Sequence, residues 1–317
     1  MLINSGGNEA QRSFLAVIFV RKEDLQGVFP PHVTPFTRDG DLDLDALRKC
    51  VDFWIEGGVS GLVTCGSNGE APYLSREERR KVIETVIDQV NGRVPVIAGT
   101  GGISTRETIQ LTKDAEDLGA DAALVVTPFY FKHSNEEIYQ HYKTVAEAVD
   151  LPIILYNVPK FTGFSLDPKV VHQVVEECDN VIGIKDSSGS VALVSEIIRL
   201  VGDKISVLAG SADVFLSTLM LGGKGAIIAV AIFAPKLCRD LYGEFKAGNY
   251  EKAAKLQATI SFLNGIVVRK LNQLAAVKYA VSIQGVPAGY PRRPTLPLGK
   301  EEMREVEEAL KKAGIIR

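Results

Sequence analysis

Eight short β-branched apolar blocks recur along the chain, each followed by a longer amphipathic run, and this alternation leaves few folds open. The blocks are Val28–Val33, Gly61–Cys65, Val94–Ala98, Ala122–Val126, Ile153–Tyr156, Val181–Ile184, Ile205–Ala209 and Ala226–Ala229. They are nearly continuous in hydrophobicity, the pattern of parallel strands covered on both faces. Start signals punctuate the runs between them. Ser75-Arg-Glu-Glu, Ser104-Thr-Arg-Glu and Ser134-Asn-Glu-Glu each read as a capping box, and Asp167 places a cap residue ahead of Pro168. Eight strand-plus-helix units within about 200 residues predict an α/β fold of the (β/α)8 TIM-barrel kind. An open doubly wound sheet would want a dinucleotide fingerprint after the first strand, and Pro30-Pro31-His32-Val33-Thr34-Pro35 offers none.

After the eighth block the pattern turns wholly helical, over Pro235–Ala247, Tyr250–Arg269, Ala275–Ile283 and Lys300–Ala313, with no linker before it. The expected organisation is an appended segment at 1–24, the barrel at 25–234 and a C-terminal helical extension at 235–317. The apolar run Phe14–Val20 is far shorter than the roughly 20 residues of a spanning helix, and it lacks the flanks of a signal peptide. No membrane association is expected. The chain carries 36 basic and 39 acidic side chains, a net charge of -3, so the electrostatic footprint of a nucleic-acid binder is missing. Cys50, Cys65, Cys178 and Cys238 lie far apart with no CxxC pair, which reads as reduced thiols in a cytoplasmic protein. His32, His133, His141 and His172 show no ligand spacing, so no metal is expected. Arg292 and Arg293 are expected on the surface or between subunits.

In a barrel of this kind the active site lies at the C-terminal ends of the strands. Lys185 closes the apolar run Val181–Ile184, so a strand would carry its amine to the mouth of a low-dielectric interior. Burial disfavours the charged form of an amine, and a neutral amine is a nucleophile toward a carbonyl, which is Schiff-base chemistry. The plainer alternative is a lysine that snorkels to solvent or pairs with Asp186. Tyr156 ends the preceding strand, about 4.8 Å away, where a phenol can move protons for a substrate on Lys185. Gly66-Ser67-Asn68-Gly69 offers backbone N–H groups, a hydroxyl and an amide suited to a small carboxylate or phosphate. Glu70 is expected to orient this loop by accepting backbone N–H bonds.

These residues together resemble the dihydrodipicolinate synthase / N-acetylneuraminate lyase family of class I aldolases, from about Gly27 to the C-terminus. The resemblance rests on GSNGE at 66–70, GTGG at 99–102, VTPFY at 126–130, LYNVP at 155–159, GIKDSSG at 183–189, LAGS at 208–211 and LGGKGAI at 221–227. It implies a barrel with a C-terminal helical extension, a homotetramer built as a dimer of dimers, no cofactor, and chemistry on pyruvate or a 2-oxo acid that yields it. By motif, Lys185 is the Schiff-base lysine and Tyr156 the general acid/base, while Ser67 and Asn68 hold the pyruvoyl carboxylate. Tyr130 matches a tyrosine that completes a hydroxyl relay with Ser67 and Tyr156 across a subunit interface. Gly210, Ser211 and Ile227 match the substrate pocket.

Two departures bear on the substrate. GSNGE stands where members that make the lysine precursor carry GTTGE. Phe161 stands where they carry an arginine that grips the second substrate's carboxylate. A charge-assisted hydrogen bond contributes about 1.5–3 kcal/mol, and Lys160 is expected to replace it only by local rearrangement. The expectation is therefore a retro-aldol lyase of the 4-hydroxy-2-oxoglutarate aldolase branch, cleaving a 4-hydroxy-2-oxo acid or a 2-keto-3-deoxy sugar acid to pyruvate and an aldehyde. A synthase condensing pyruvate with aspartate semialdehyde is the alternative. A non-catalytic pyruvate-binding relative comes third, because it would have no need of the hydroxyl relay.

Overall fold

The computed structural model describes residues 20–317. Eight parallel strands form one sheet: β1 Gly27–Val28, β2 Leu62–Thr64, β3 Val96–Gly99, β4 Ala122–Val126, β5 Ile153–Asn157, β6 Val181–Asp186, β7 Ser206–Ala209 and β8 Gly225–Ala226. Their order is β1-β8-β7-β6-β5-β4-β3-β2. The parallel bridge between Pro31 and Val63 joins the two edges and closes the barrel. Helices separate successive strands, as the (β/α)8 reading requires. Ser75 and Ser134 form complete capping boxes with Glu78 and Glu137. Ser104 accepts from the Glu107 amide, but the Glu107 carboxylate turns to the Ile103 amide, so that box is incomplete.

The end strands are shorter than expected. The first block was expected to be strand as far as Val33, yet Pro30 and Pro31 have no N–H for a ladder, and β1 stops at Val28. The eighth block runs past Ala226 into a helix at Val230–Phe233. The fifth and sixth strands run longer, so that Lys185 and Asp186 belong to β6.

Two apolar layers hold the barrel. One lies between strands and helices and includes Trp54, Phe215 and Phe233. The other fills the interior, with Val20, Leu25, Phe29, Leu124, Ile154, Tyr156 and Ile227. Most of the segment expected at 1–24 lies outside the described residues. Its last residues reach the barrel, where the Lys22 carbonyl accepts from Ser206 Oγ at 2.9 Å. Val20 and Leu25 are buried among the interior residues.

The C-terminal helices span Pro235–Lys246, Tyr250–Leu263, Gln273–Ser282 and Lys300–Lys312. The run expected as one helix over Tyr250–Arg269 changes to a π-helix at Asn264–Lys270, a local widening frequent at functional sites. A buried ion pair fixes the extension to the barrel. Lys278, from helix Gln273–Ser282, meets Glu70 Oε1 at 2.5 Å, and both side chains are essentially inaccessible. Lys278 also donates to the Tyr290 carbonyl at 2.7 Å. Burial holds the Lys278 amine down to about 8, against the upward pull of Glu70. Of the two places expected for Arg292, the surface or a subunit boundary, the open surface does not hold, since its side chain is only 17% exposed. Its amide donates to Glu70 Oε2 at 2.9 Å, and its guanidinium binds Glu78 and the carbonyls of Gly40 and Tyr73.

Removing one member of such a pair strands a buried charge, whereas removing both does not. Lys278→Met should therefore lower unfolding stability by about 3–5 kcal/mol, measured by urea titration. The double variant with Glu70→Gln should recover much of that loss. A single-variant cost too small to resolve would show the pair to be unimportant for docking.

Candidate active site

Parallel register sets the centre of the site. Tyr156 on β5 pairs with Lys185 on β6, and both side chains enter the barrel mouth. They are 5% and 3% exposed, so neither reaches bulk solvent. Lys185 Nζ lies 4.1 Å from the Tyr156 ring centroid. Side chains alternate along a strand, so Asp186 turns to the opposite face. There it accepts from Asn157 Nδ2 at 2.6 Å and from the Ser188 amide and hydroxyl at 3.1 and 2.5 Å. Burial still raises the Asp186 carboxyl above the ordinary carboxylate range, against those bonds. Lys185 therefore neither snorkels nor spends its charge on Asp186.

The phenol feels opposing effects. Burial pushes Tyr156 up, but the adjacent Lys185 ammonium and hydrogen bonding with Ser67, Ser187 and Lys185 outweigh it, leaving the group below its ordinary value. Ser67 Oγ is 3.5 Å from Tyr156 Oη. A phenol whose ionised form is favoured beside an ammonium is placed to take that group's proton.

The GSNGE turn forms the next wall. Cys65 and Glu70 bracket it in the left-handed region, at φ of 51° and 57°. The Gly69 and Glu70 amides close the turn on the Gly66 and Ser67 carbonyls at 3.0 and 3.1 Å. Thr34 Oγ1 ties it down through the Gly69 carbonyl at 2.8 Å. The Ser67 and Asn68 amides are left without a partner among the described residues. Beside the Ser67 hydroxyl they supply donors suited to a carboxylate. Gly210 forms the far wall at close quarters. A Cβ there would lie 2.1 Å from Ser187 Oγ and 2.8 Å from the Asp186 carbonyl carbon, so only glycine fits.

A cavity of about 410 Å³ touches Ser67, Asn68, Tyr156, Lys185, Gly210, Ser211 and Ile227. The structure thus brings together every expected site residue except Tyr130. That residue lies on the loop after β4, 88% exposed, with φ of 84° and its ring edge-on to Phe131. A second cavity of about 530 Å³ continues the first past Ser67 and Tyr156 and is walled by Leu124, Val126, Phe129 and Leu271. Lys160 and Phe161 line both cavities, so Lys160 needs no rearrangement to face the site.

Gln273 was not anticipated. Its Nε2 donates to Asn68 Oδ1 at 2.7 Å, and its Oε1 accepts from Lys160 at 3.2 Å. Nothing in the local sequence marks Gln273, because the turn of chain after the π-helix brings it over the mouth. Burial pushes the Cys65 thiol up to about 11, which suits a packing residue and not a nucleophile. Among the described residues no cluster of His, Cys, Asp or Glu is arranged to hold a metal ion, and no helix is long and apolar enough to cross a membrane.

A buried lysine and phenol side by side at the C-terminal mouth of a (β/α)8 barrel define a lyase of the class I, Schiff-base-forming kind. The chain belongs to the dihydrodipicolinate synthetase family, whose model matches residues 24–313. It is 41% identical to the 4-hydroxy-tetrahydrodipicolinate synthase of Methanocaldococcus jannaschii, covering 92% of this chain and all of that one. It is 42% identical to the enzyme of that name from Methanothrix thermoacetophila, covering 91% of this chain and 97% of the relative. The crystal structure of the chloride-inhibited dihydrodipicolinate synthase from Acinetobacter baumannii, complexed with pyruvate, superimposes with a TM-score of 0.88 at 41% identity. That match covers 92% of this chain and 99% of the other.

These relatives overturn the expected retro-aldol cleavage, since they carry the synthase name. The expectation rested on the GSNGE turn and on Phe161 as a missing cation, and for Phe161 the structure shows why the inference was weak. A neighbouring cation, Lys160, lines the same cavities.

The balance of effects on Tyr156 makes a measurable claim. In an ultraviolet titration of tyrosinate, Tyr156 should ionise below the ordinary 10.0, and this early component should vanish in Tyr156→Phe. Ser67→Ala removes a hydrogen bond that favours the phenolate, so the component should move to higher pH. A downward movement would reverse the assigned role of Ser67.

Proposed function

We propose that this protein is a 4-hydroxy-tetrahydrodipicolinate synthase, condensing pyruvate with aspartate semialdehyde through an imine on Lys185. The observation that carries the reading is the buried Lys185–Tyr156 pair, with the ammonium 4.1 Å from the ring centroid. Identity of 41% to a synthase over the whole of that relative supports the choice of reaction.

In this reading the free Ser67 and Asn68 amides and the Ser67 hydroxyl hold the pyruvate carboxylate, with Gly210, Ser211 and Ile227 shaping the rest of its pocket. Tyr156 takes a proton from Lys185, and the neutral amine attacks the 2-oxo carbon. The phenol returns that proton to the carbonyl oxygen, then takes a second from the attacking nitrogen and passes it to the same oxygen, which leaves as water as the imine forms. Loss of a methyl proton then gives an enamine, whose carbon bonds to the aldehyde carbon. The aldehyde oxygen takes up a proton and becomes a hydroxyl. The amino group of the former semialdehyde then adds to the imine carbon and displaces Lys185, which closes the ring and frees the lysine amine.

Tyr130 enters this reading from a neighbouring subunit. Tyr130 and Phe131 are 88% and 69% exposed, an aromatic pair suited to burial at an interface. A homotetramer built as a dimer of dimers, acting in the cytoplasm, accommodates that role, and the four free buried cysteines suit a reducing compartment.

The test is consumption of pyruvate in the presence of aspartate semialdehyde by the purified protein. The wild type should turn over, and Tyr156→Phe should lower kcat by about 10²- to 10⁴-fold, the usual range for a lost acid/base group. A wild type that leaves both substrates unchanged overturns the reading.

A further inference from the structure

Asp186 is a carboxylate buried without a cation. It is wholly inaccessible, and among the described residues no charged group pairs with it. Its partners are neutral donors instead. Oδ1 takes the Ser188 amide at 3.1 Å and the Ser188 hydroxyl at 2.5 Å, and Oδ2 takes Asn157 Nδ2 at 2.6 Å. A carboxylate accepts on both sides, whereas an amide would turn its nitrogen against one of these donors. Asn157 is as closely specified. Its Nδ2 donates to Asp186 while its Oδ1 accepts from the Leu166 amide at 2.8 Å, a division of roles that a carboxylate lacks.

This cross-strand bond sits one residue beyond the reactive pair. Asn157 and Asp186 are register partners, as Tyr156 and Lys185 are. Both strands end there, so the bond closes the ladder at its open end. It also governs the turn that follows. The Ser188 amide on Oδ1 makes an Asx-turn over 186–188, and the Ser187 amide donates to the Asn157 carbonyl at 2.8 Å. Ser187 lines the cavity with Tyr156 and Lys185. Its hydroxyl packs against Gly210, where a Cβ would come within 2.1 Å of it. From there it joins the groups whose hydrogen bonding favours the ionised phenol.

We propose that Asn157 and Asp186 are positioning residues for proton transfer: their bond holds the 186–188 turn so that Ser187 Oγ and Lys185 Nζ both stay against the Tyr156 phenol. Neither residue lines either cavity, so each acts through Ser187 and the two strand ends. The proposal rests on the proton exchange between Lys185 and Tyr156 in the synthase reading, whatever aldehyde follows.

The experiment exchanges the two side chains. Asp186→Asn leaves two donors facing each other, and Asn157→Asp leaves two acceptors. The double variant carrying both restores a donor and an acceptor with the direction reversed. Steady-state kinetics with pyruvate and aspartate semialdehyde are combined with ultraviolet titration of tyrosinate, on proteins whose circular dichroism matches the wild type. Each single variant should lower kcat about 10²-fold, the cost of a small misplacement at the reacting atoms, with KM for pyruvate near the wild-type value. The early tyrosinate component should move to higher pH in both, and the double variant should recover most of both effects. Ser187→Ala keeps the pair intact and should move that component the same way, which tests the proposal even where a single variant fails to fold. An unchanged kcat in Asp186→Asn, a double variant no better than either single, or an unmoved component in Ser187→Ala overturns the positioning role and leaves the synthase reading standing. A wild type that consumes neither substrate overturns the synthase reading. The tyrosinate titration needs no substrate, so movement as expected there still upholds the positioning role.

Discussion

The site depends on one constraint, the register between β5 and β6. Because Tyr156 and Lys185 are paired residues on adjacent parallel strands, their side chains enter the same face of the barrel at the same height. Leu124, Ile154 and Ile227 pack with Tyr156 in the apolar cluster of the interior. A shift of one residue would exchange Lys185 with Asp186 and place a carboxylate in the mouth. The bonds from Asn157 and Ser188 hold Asp186 on the outer face and oppose that shift. Once register is fixed, the electrostatics follow. The ammonium offsets the burial cost of an ionised phenol, and the phenol lies within reach of the ammonium's proton.

The C-terminal extension is part of this arrangement. Glu70 ends the GSNGE turn in a left-handed conformation, and its carboxylate is held by Lys278 and by the Arg292 amide. The loop that supplies Ser67 and Asn68 is thus braced from behind by helix Gln273–Ser282. The first residue of that helix, Gln273, reaches Asn68 from the front. One helix therefore fixes the turn at two points, so damage to the extension should be felt at the site before the barrel unfolds. The buried charges are tolerated because each offsets the other and each has one further hydrogen bond, Lys278 to the Tyr290 carbonyl and Glu70 from the Arg292 amide.

Much of this was legible in the sequence, and the reasons are local. Continuous β-branched blocks with serine caps between them announce buried parallel strands, and a lysine or tyrosine closing such a block marks the barrel mouth. Lys185, Tyr156, Ser67, Asn68, Gly210, Ser211 and Ile227 all follow from position at a strand end or from motif. The end strands were less legible, because an apolar block reads alike as strand or buried helix until Pro30-Pro31 and the helix Val230–Phe233 decide it. Contacts between distant segments left no local trace. Lys278 sits in an apolar helical run, a signal of burial, but its partner Glu70 lies two hundred residues earlier. Gln273 has an ordinary helical context, and only the π-helix before it brings it over the site. Phe161 misled for a related reason. Position in a motif specifies one residue, whereas a cavity accepts a cation from any wall, and Lys160 supplies one.

The central claim is that Lys185 is the nucleophile, and trapping the imine tests it most directly. The protein is incubated with pyruvate, reduced with borohydride and weighed intact, with peptide mapping to locate the modification and Lys185→Ala as control. The account predicts one reduced pyruvate per chain, on Lys185, and none on the variant. An unmodified but folded wild-type protein, or an adduct on another lysine, would contradict it.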